Sequence, residues 1–238
     1  MIQKMETEFL RRIAQRLGRQ EPLREPPQRA YVGAKGLVHS ILPKSHQAAP
    51  DSLQEAGSLA EVFCLSLEDV GGYAKVISKS EISTVLDDII IQHQIRSVLQ
   101  WKDSYLEHLG VSHALKNRDL DVYTWGEENI LTKERIEQAQ LGITSANYAI
   151  AETGSLVVVG DQYHGRSVSL LPSVHVAFVP LAHLHLRAKS VLQELNQHRM
   201  PAAVNFITGP SRTSDIEMDS TIGVHGPKHI YVFLTADA

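Results

Sequence analysis

Cysteine is almost missing from this chain: Cys64 is the only one in 238 residues. No internal disulfide can form, and no all-cysteine zinc or iron–sulfur site can be built from the chain alone. A reduced, cytoplasmic setting follows as the default. Long apolar runs are missing too. The longest, such as Leu156-Val157-Val158-Val159, reach about five residues, against the ~20 needed to span a bilayer. The start, Met1 to Glu6, lacks the apolar core of a secretory signal. A soluble protein without a membrane span is therefore expected. Positive charge is not in excess: the net charge is −4 and the pI is about 6.3. No global field draws in nucleic acid or an anionic membrane. The templates G-x-x-x-x-G-K-[ST], G-x-G-x-x-G, H-E-x-x-H and G-x-S-x-G do not occur.

What is present divides unevenly. Residues 4–17 carry Met5, Phe9, Ile13 and Leu17 at helical spacing, with Arg11, Arg12 and Arg16 on other faces. Gly18 stops this helix, and residues 19–29 are polar and proline-rich, a linker. Residues 1–30 hold seven Lys/Arg against four Asp/Glu, a net +3 that leaves −7 for residues 31–238. The expected organisation is a basic arm over 1–30 and an α/β domain over 31–238, with the arm docking on a partner or covering its own domain.

From residue 51 helical and strand patterns alternate. Asp51 with Gln54 opens a helix to Val70, ended by Gly71-Gly72, and Tyr73–Ile77 reads as a strand. Ser80 caps a helix through Ile89-Ile90-Ile91. Strands follow at Arg96–Trp101 and Leu120–Trp125, then a helix at Thr132–Ala139. The β-branched run Leu156–Val159 suits a strand covered on both faces, as parallel sheets require. Val174–Val179, a helix near 186–198, Ala203–Ile207 and Ile230–Leu234 complete the pattern. The fold class is α/β, a mostly parallel sheet with helices on both faces.

In such sheets ligands bind beyond the carboxyl ends of strands, which directs attention to two segments. In 207–217 a strand feeds Gly209-Pro210-Ser211, and Ser214 with Glu217 has capping-box spacing for a helix start. Gly209 permits close backbone approach, free N–H groups at a helix start attract anions, and Ser211, Arg212 and Thr213 add donors. Asp215 and Glu217 offer carboxylates. A tight turn with a good cap and no ligand reads equally well. The second segment places Glu152, beside Thr153, before the strongest strand; its small and apolar neighbours predict a desolvated carboxylate suited to acid–base work, unless it caps or salt-bridges a turn. His183 and His185 alternate after His175 and, with His164 or His225, could share a metal, although partly exposed histidines at a strand end are the plainer reading. Cys64 falls mid-helix as a small hydrophobe.

Four ordered motifs then gain meaning together: Ile143–Ala146 through Ala151-Glu152-Thr153-Gly154-Ser155-Leu156; Leu171-Pro172-Ser173-Val174-His175-Val176; Thr208 to Glu217; and Gly223-Val224-His225-Gly226-Pro227-Lys228-His229. The set resembles the LUD-domain family over roughly residues 51–236. The resemblance implies a sheet related to the coenzyme A transferase and ribose-5-phosphate isomerase superfamily. It also implies a role in oxidising L-lactate to pyruvate beside partner proteins that carry iron–sulfur clusters. Some members carry an iron–sulfur extension after the domain; this sequence ends at Ala238, so a cluster-free member is expected. Oxidation of a hydroxy acid needs a redox carrier. With one cysteine and no dinucleotide fingerprint, no cofactor is expected in this chain and the carrier is expected in a partner.

The resulting expectation is a non-redox subunit, possible as a homo-oligomer, that binds a small carboxylate. Gly209, Ser211, Arg212, Thr213, Thr153 and His225 would bind it, and Glu152, Asp215 and Glu217 would place or move protons. The rivals are an independent enzyme acting on a sugar phosphate or coenzyme A ester, and a non-catalytic assembly subunit.

Overall fold

The computed structural model describes residues 53–116, 118–126, 132–197, 201, 203–214, 220–222 and 226–236. The arm and linker expected over 1–30, the boundary at residue 31 and the Asp51 cap lie outside the described residues.

The expected helix α1 spans Leu53–Asp69. It ends where Gly71, at φ +85°, donates to the Glu68 carbonyl and Gly72 donates to that of Leu67. Strand β1 (Tyr73–Ile77) follows, then α2 (Ile82–Gln92). Ser78, rather than Ser80, opens the second helical segment: Glu81 Oε2 accepts from its backbone N–H at 2.8 Å and its hydroxyl at 2.9 Å. Next come β2 (Ser97–Trp101), α3 (Ser104–Leu109), α4 (Val111–Lys116), β3 (Asp121–Trp125), α5 (Lys133–Gln138) and β4 (Leu141–Ser145).

A short antiparallel pair, β5 (Tyr148–Ile150) and β6 (Ser155–Gly160), precedes α6 (Ser167–Leu170) and β7 (Val174–Pro180). Then come β8 (Leu184–His185), α7 (Ala188–Leu195), β9 (Ala203–Thr208), β10 (Arg212–Ser214), β11 (Ser220–Ile222) and β12 (His229–Thr235).

Six strands form a sheet in the order β1-β12-β7-β4-β2-β3, and every neighbouring pair is parallel. From β2 the chain steps outward to β3; from β4 it steps the opposite way to β7. Right-handed crossovers therefore place α3 and α4 on one face and α6 on the other. The α/β architecture expected from the sequence is the one observed. The reversal between β2 and β4 is the switch point at which such sheets bind ligands.

One expectation about a strand changes. Leu156–Val158 is buried on both faces and Val159 partly so, but the run lies in β6 of a second, four-stranded sheet, β8-β5-β6-β9, paired antiparallel with β5 and β9. Leu156 and Val158 join the main core, while Val157 packs with Ile150, Val191 and Leu195 in a smaller one under α7. Helix cover, not parallel pairing, buries its second face. Arg212–Ser214 is extended and pairs antiparallel with Ser220–Ile222; residues 215–219, where the helix start expected after Ser214 would run, lie outside the described residues.

Packing is tightest where side chains are absent. A Cβ on Gly142 would stand 1.9 Å from the Val168 carbonyl oxygen, so α6 lies directly on β4. Thr144, two residues on and therefore on the same face, holds His175 Nε2 at 2.9 Å through its hydroxyl. His175 is fully buried and its Nδ1 has no partner among the described residues. Burial lowers its pKa to about 4. The unfolded chain thus binds this proton more readily than the native one. Between pH 6.5 and 4 stability should fall as pH falls, at up to about 1.4 kcal/mol per pH unit from this group. Urea melts across that window should show the loss, and His175→Gln should flatten it.

Candidate functional site

The two segments singled out in the sequence meet at one joint. β6 and β9 pair so that Ser155 faces Thr208, and a chain of hydroxyls links Thr153 to Ser155 (2.7 Å) and Ser155 to Thr208 (2.6 Å). The turn before β6 and the turn after β9 both close on the end of α1. Gly154 has φ +60°, and a Cβ there would lie 2.4 Å from the Leu67 nitrogen; Gly209 has φ +74°, and its Cβ would lie 2.9 Å from the Val70 carbonyl oxygen. Arg212 Nη2 donates to that same carbonyl at 2.8 Å. A guanidinium there complements the negative end of the helix.

Gly209 thus allows approach to Val70 of the chain's own helix end, where the sequence suggested approach to a ligand. Ser211 donates its backbone N–H to the Pro227 carbonyl at 2.9 Å, tying this turn to the last motif. Glu152 lies on the turn Ala151–Thr153 with its side chain 34% exposed and Oε2 3.5 Å from Arg187 Nε. The desolvated carboxylate expected from its neighbours is therefore replaced by a partly exposed, ion-paired one. Arg187 supplies the cation, brought alongside by the pairing of β5 with β8. Thr213 lies in β10. Asp215, Glu217 and His225 lie outside the described residues.

A second cluster forms at the switch point, and the sequence reading had not assembled it. Asp103 follows β2 and caps α3, with Oδ1 accepting from the Tyr105 and Leu106 backbone N–H groups at 2.8 and 3.0 Å. Oδ2 accepts from Ser145 Oγ, at the end of β4, at 2.9 Å. His164 Nδ1 lies 2.8 Å from Asp161 Oδ1. Its buried Nε2 stands 3.2 Å from Asp103 Oδ2, within ion-pair range but without hydrogen-bond geometry.

Partial burial opposes charge on Asp161. The bonds from His164 and from the Tyr163 and His164 backbone outweigh it and hold this carboxyl below its usual value. The two tryptophans fix the 161–166 segment above the strand ends. Trp101 Nε1 donates to the Gly165 carbonyl at 3.0 Å, and a Cβ on Gly165 would strike the Trp125 ring at 2.1 Å. The array Ser145–Asp103–His164–Asp161 gathers a hydroxyl, two carboxylates and an imidazole beyond the strand ends. Asp103, two residues past an expected strand, was its legible signal.

His183 and His185 differ in their surroundings. His183 ends a 3-10 turn and is exposed, whereas His185 is buried with Nε2 3.3 Å from Glu194 Oε2. Burial pushes the His185 pKa down, Glu194 pushes it up, and His183 adds to the fall. Among the described residues no three His, Cys, Asp or Glu side chains are grouped to hold a metal; His225, one of the third ligands weighed for His183 and His185, lies outside them.

The family model described as the LUD domain matches residues 60–235. The chain belongs to the LUD-domain family. A Halalkalibacterium halodurans protein named lactate utilization protein C is 32% identical over 232 residues, 95% of each chain. A Shouchella clausii protein of the same name is 30% identical over 207 residues, 82% of this chain and 89% of that one. A crystal structure of a DUF162-family protein from Deinococcus radiodurans shares the fold, with a TM-score of 0.55 and 18% identity over 79% of this chain and 100% of that one.

In this LUD domain the motif glycines build the joint, and the switch-point cluster stands on residues outside the four motifs apart from Ser145. The two arrangements make separable demands on stability. Arg212→Ala should cost about 1 kcal/mol through the lost bond to Val70. Asp103→Ala, which removes a helix cap and the Ser145 acceptor together, should cost about 2 kcal/mol. Gly154→Ala should exceed Arg212→Ala, since a side chain meets backbone there. Urea denaturation of the three variants checks the ranking.

Proposed function

We propose that this protein is a cytoplasmic component of an L-lactate utilisation system, supporting oxidation of L-lactate to pyruvate together with iron–sulfur partner proteins. The carrying observation is the similarity, over 95% of both chains, to a relative named lactate utilization protein C. The oxidation breaks the C2–H and O–H bonds of lactate, forms a carbonyl, and releases two electrons and two protons. The electrons go to the partners' clusters. The chain's one thiol supports that division of labour: Cys64 is half-buried in α1, and burial, with Glu68 and Glu61 adding to it, raises its pKa. A thiol held protonated is a poor cluster ligand.

Under this reading the joint at Gly209–Thr213 receives a small carboxylate beside the exposed Arg212 guanidinium, and Glu152 handles a proton at its edge. The test is reconstituted lactate oxidation with each component omitted in turn. Omission of this chain, or of any cluster partner, should stop electron transfer to an added acceptor. Arg212→Ala and Glu152→Gln should each lower the rate at least tenfold. Full activity without this chain would overturn the role; full activity in both variants would overturn only the site.

A further inference from the structure

A groove of about 510 Å³ opens between the starts of α2 and α4, away from the residues of the proposed lactate site. Its size falls in the range of roughly 300–1,000 Å³ of small-molecule sites. Lys79, His113 and Arg118 line it, with the hydroxyls of Ser80 and Ser83 and an apolar wall of Ile82, Leu109 and Ala114. Asp87 is its only carboxylate among the lining residues, and that group is engaged: Arg118 Nε donates to Asp87 Oδ1 at 2.6 Å. Arg118 Nη2 reaches the Ser83 carbonyl at 3.2 Å and the Ser83 hydroxyl at 3.3 Å.

The Arg118 side chain is 15% exposed, so these bonds hold a mostly buried guanidinium in one orientation. Gly110, at φ +77°, turns the chain between α3 and α4, and a Cβ there would meet nothing within 4 Å. The groove is thus open above the turn, cationic along one side and apolar along the other.

We propose that this groove binds a phosphate monoester with a compact organic body. Lys79, His113 and the Ser83 hydroxyl take the phosphate oxygens, and Ile82, Leu109 and Ala114 take the body. Arg118, neutralised by Asp87, fixes the groove's shape and presents its remaining N–H groups. A dianionic head suits several converging donors better than a single carboxylate does. The assignment does not depend on the role in lactate oxidation.

Calorimetric titration of the full chain with phenyl phosphate tests it, with benzoate as the carboxylate arm. Phenyl phosphate should bind, and Lys79→Glu and His113→Glu should each weaken it by roughly tenfold or more. Both positions are exposed, so the fold should survive, as thermal melts will show. Lys116→Glu, an equal charge change at an exposed residue outside the groove lining, should leave binding within about twofold. Three results overturn the proposal: no binding of phenyl phosphate, equal loss in the Lys116 variant, or benzoate binding as tightly as phenyl phosphate.

Discussion

The end of α1 can be gripped from two sides only because two of the turns that meet it carry no Cβ. Gly154 and Gly209 both sit at positive φ with the helix backbone within 3 Å of where a side chain would begin. A third glycine, Gly71, ends the helix and leaves room for the Arg212 guanidinium. The second sheet is anchored to the first helix by this contact, and Leu67 belongs at once to the helix, the core and the turn. Close backbone approach of this kind leaves no adjustable side chain to absorb a change.

The same joint explains why motif residues in this protein have two descriptions. Thr153, Ser155 and Thr208 form a hydroxyl chain within the fold, while Glu152 and Arg212 keep part of their side chains in solvent. Structural and functional demands coincide in a few residues, so a substitution there reports on both. At the switch point the division is cleaner. Asp103 organises a helix start, a strand end and a loop, and His164 is left with a buried nitrogen that nothing in the described fold satisfies by hydrogen bonding. Buried polar atoms left in that state mark places where a fold has given up stability for another purpose.

Much of the architecture was legible in the sequence, because local patterns fixed it. The strands at Tyr73–Ile77, Ser97–Trp101, Asp121–Trp125 and Val174–Pro180 lie within a residue of their apolar runs. Leu156–Val159 misled for a physical reason: burial on both faces does not distinguish a parallel neighbour from an antiparallel sheet roofed by a helix. Glu152 was judged by its neighbours in sequence, and Arg187, its partner in space, comes from a different strand connection. The Asp103–His164 array joins β2, β4 and the loop after β6, and no periodicity brings those together in one dimension.

The place of β12 has a consequence for how the domain comes into being. Its register runs against β1 on one side and β7 on the other, so among the described residues β1 meets its sheet neighbour only once β12 has been made. A chain still emerging from the ribosome must hold Tyr73 and Val76, both partly exposed even in the finished fold, without the hydrogen bonds that will eventually pair them. Such late closure of a parallel sheet is slow and leaves apolar edges uncovered meanwhile. Lys75, on the same edge and paired with Glu81, places a charge where an unfinished sheet would otherwise recruit a stranger.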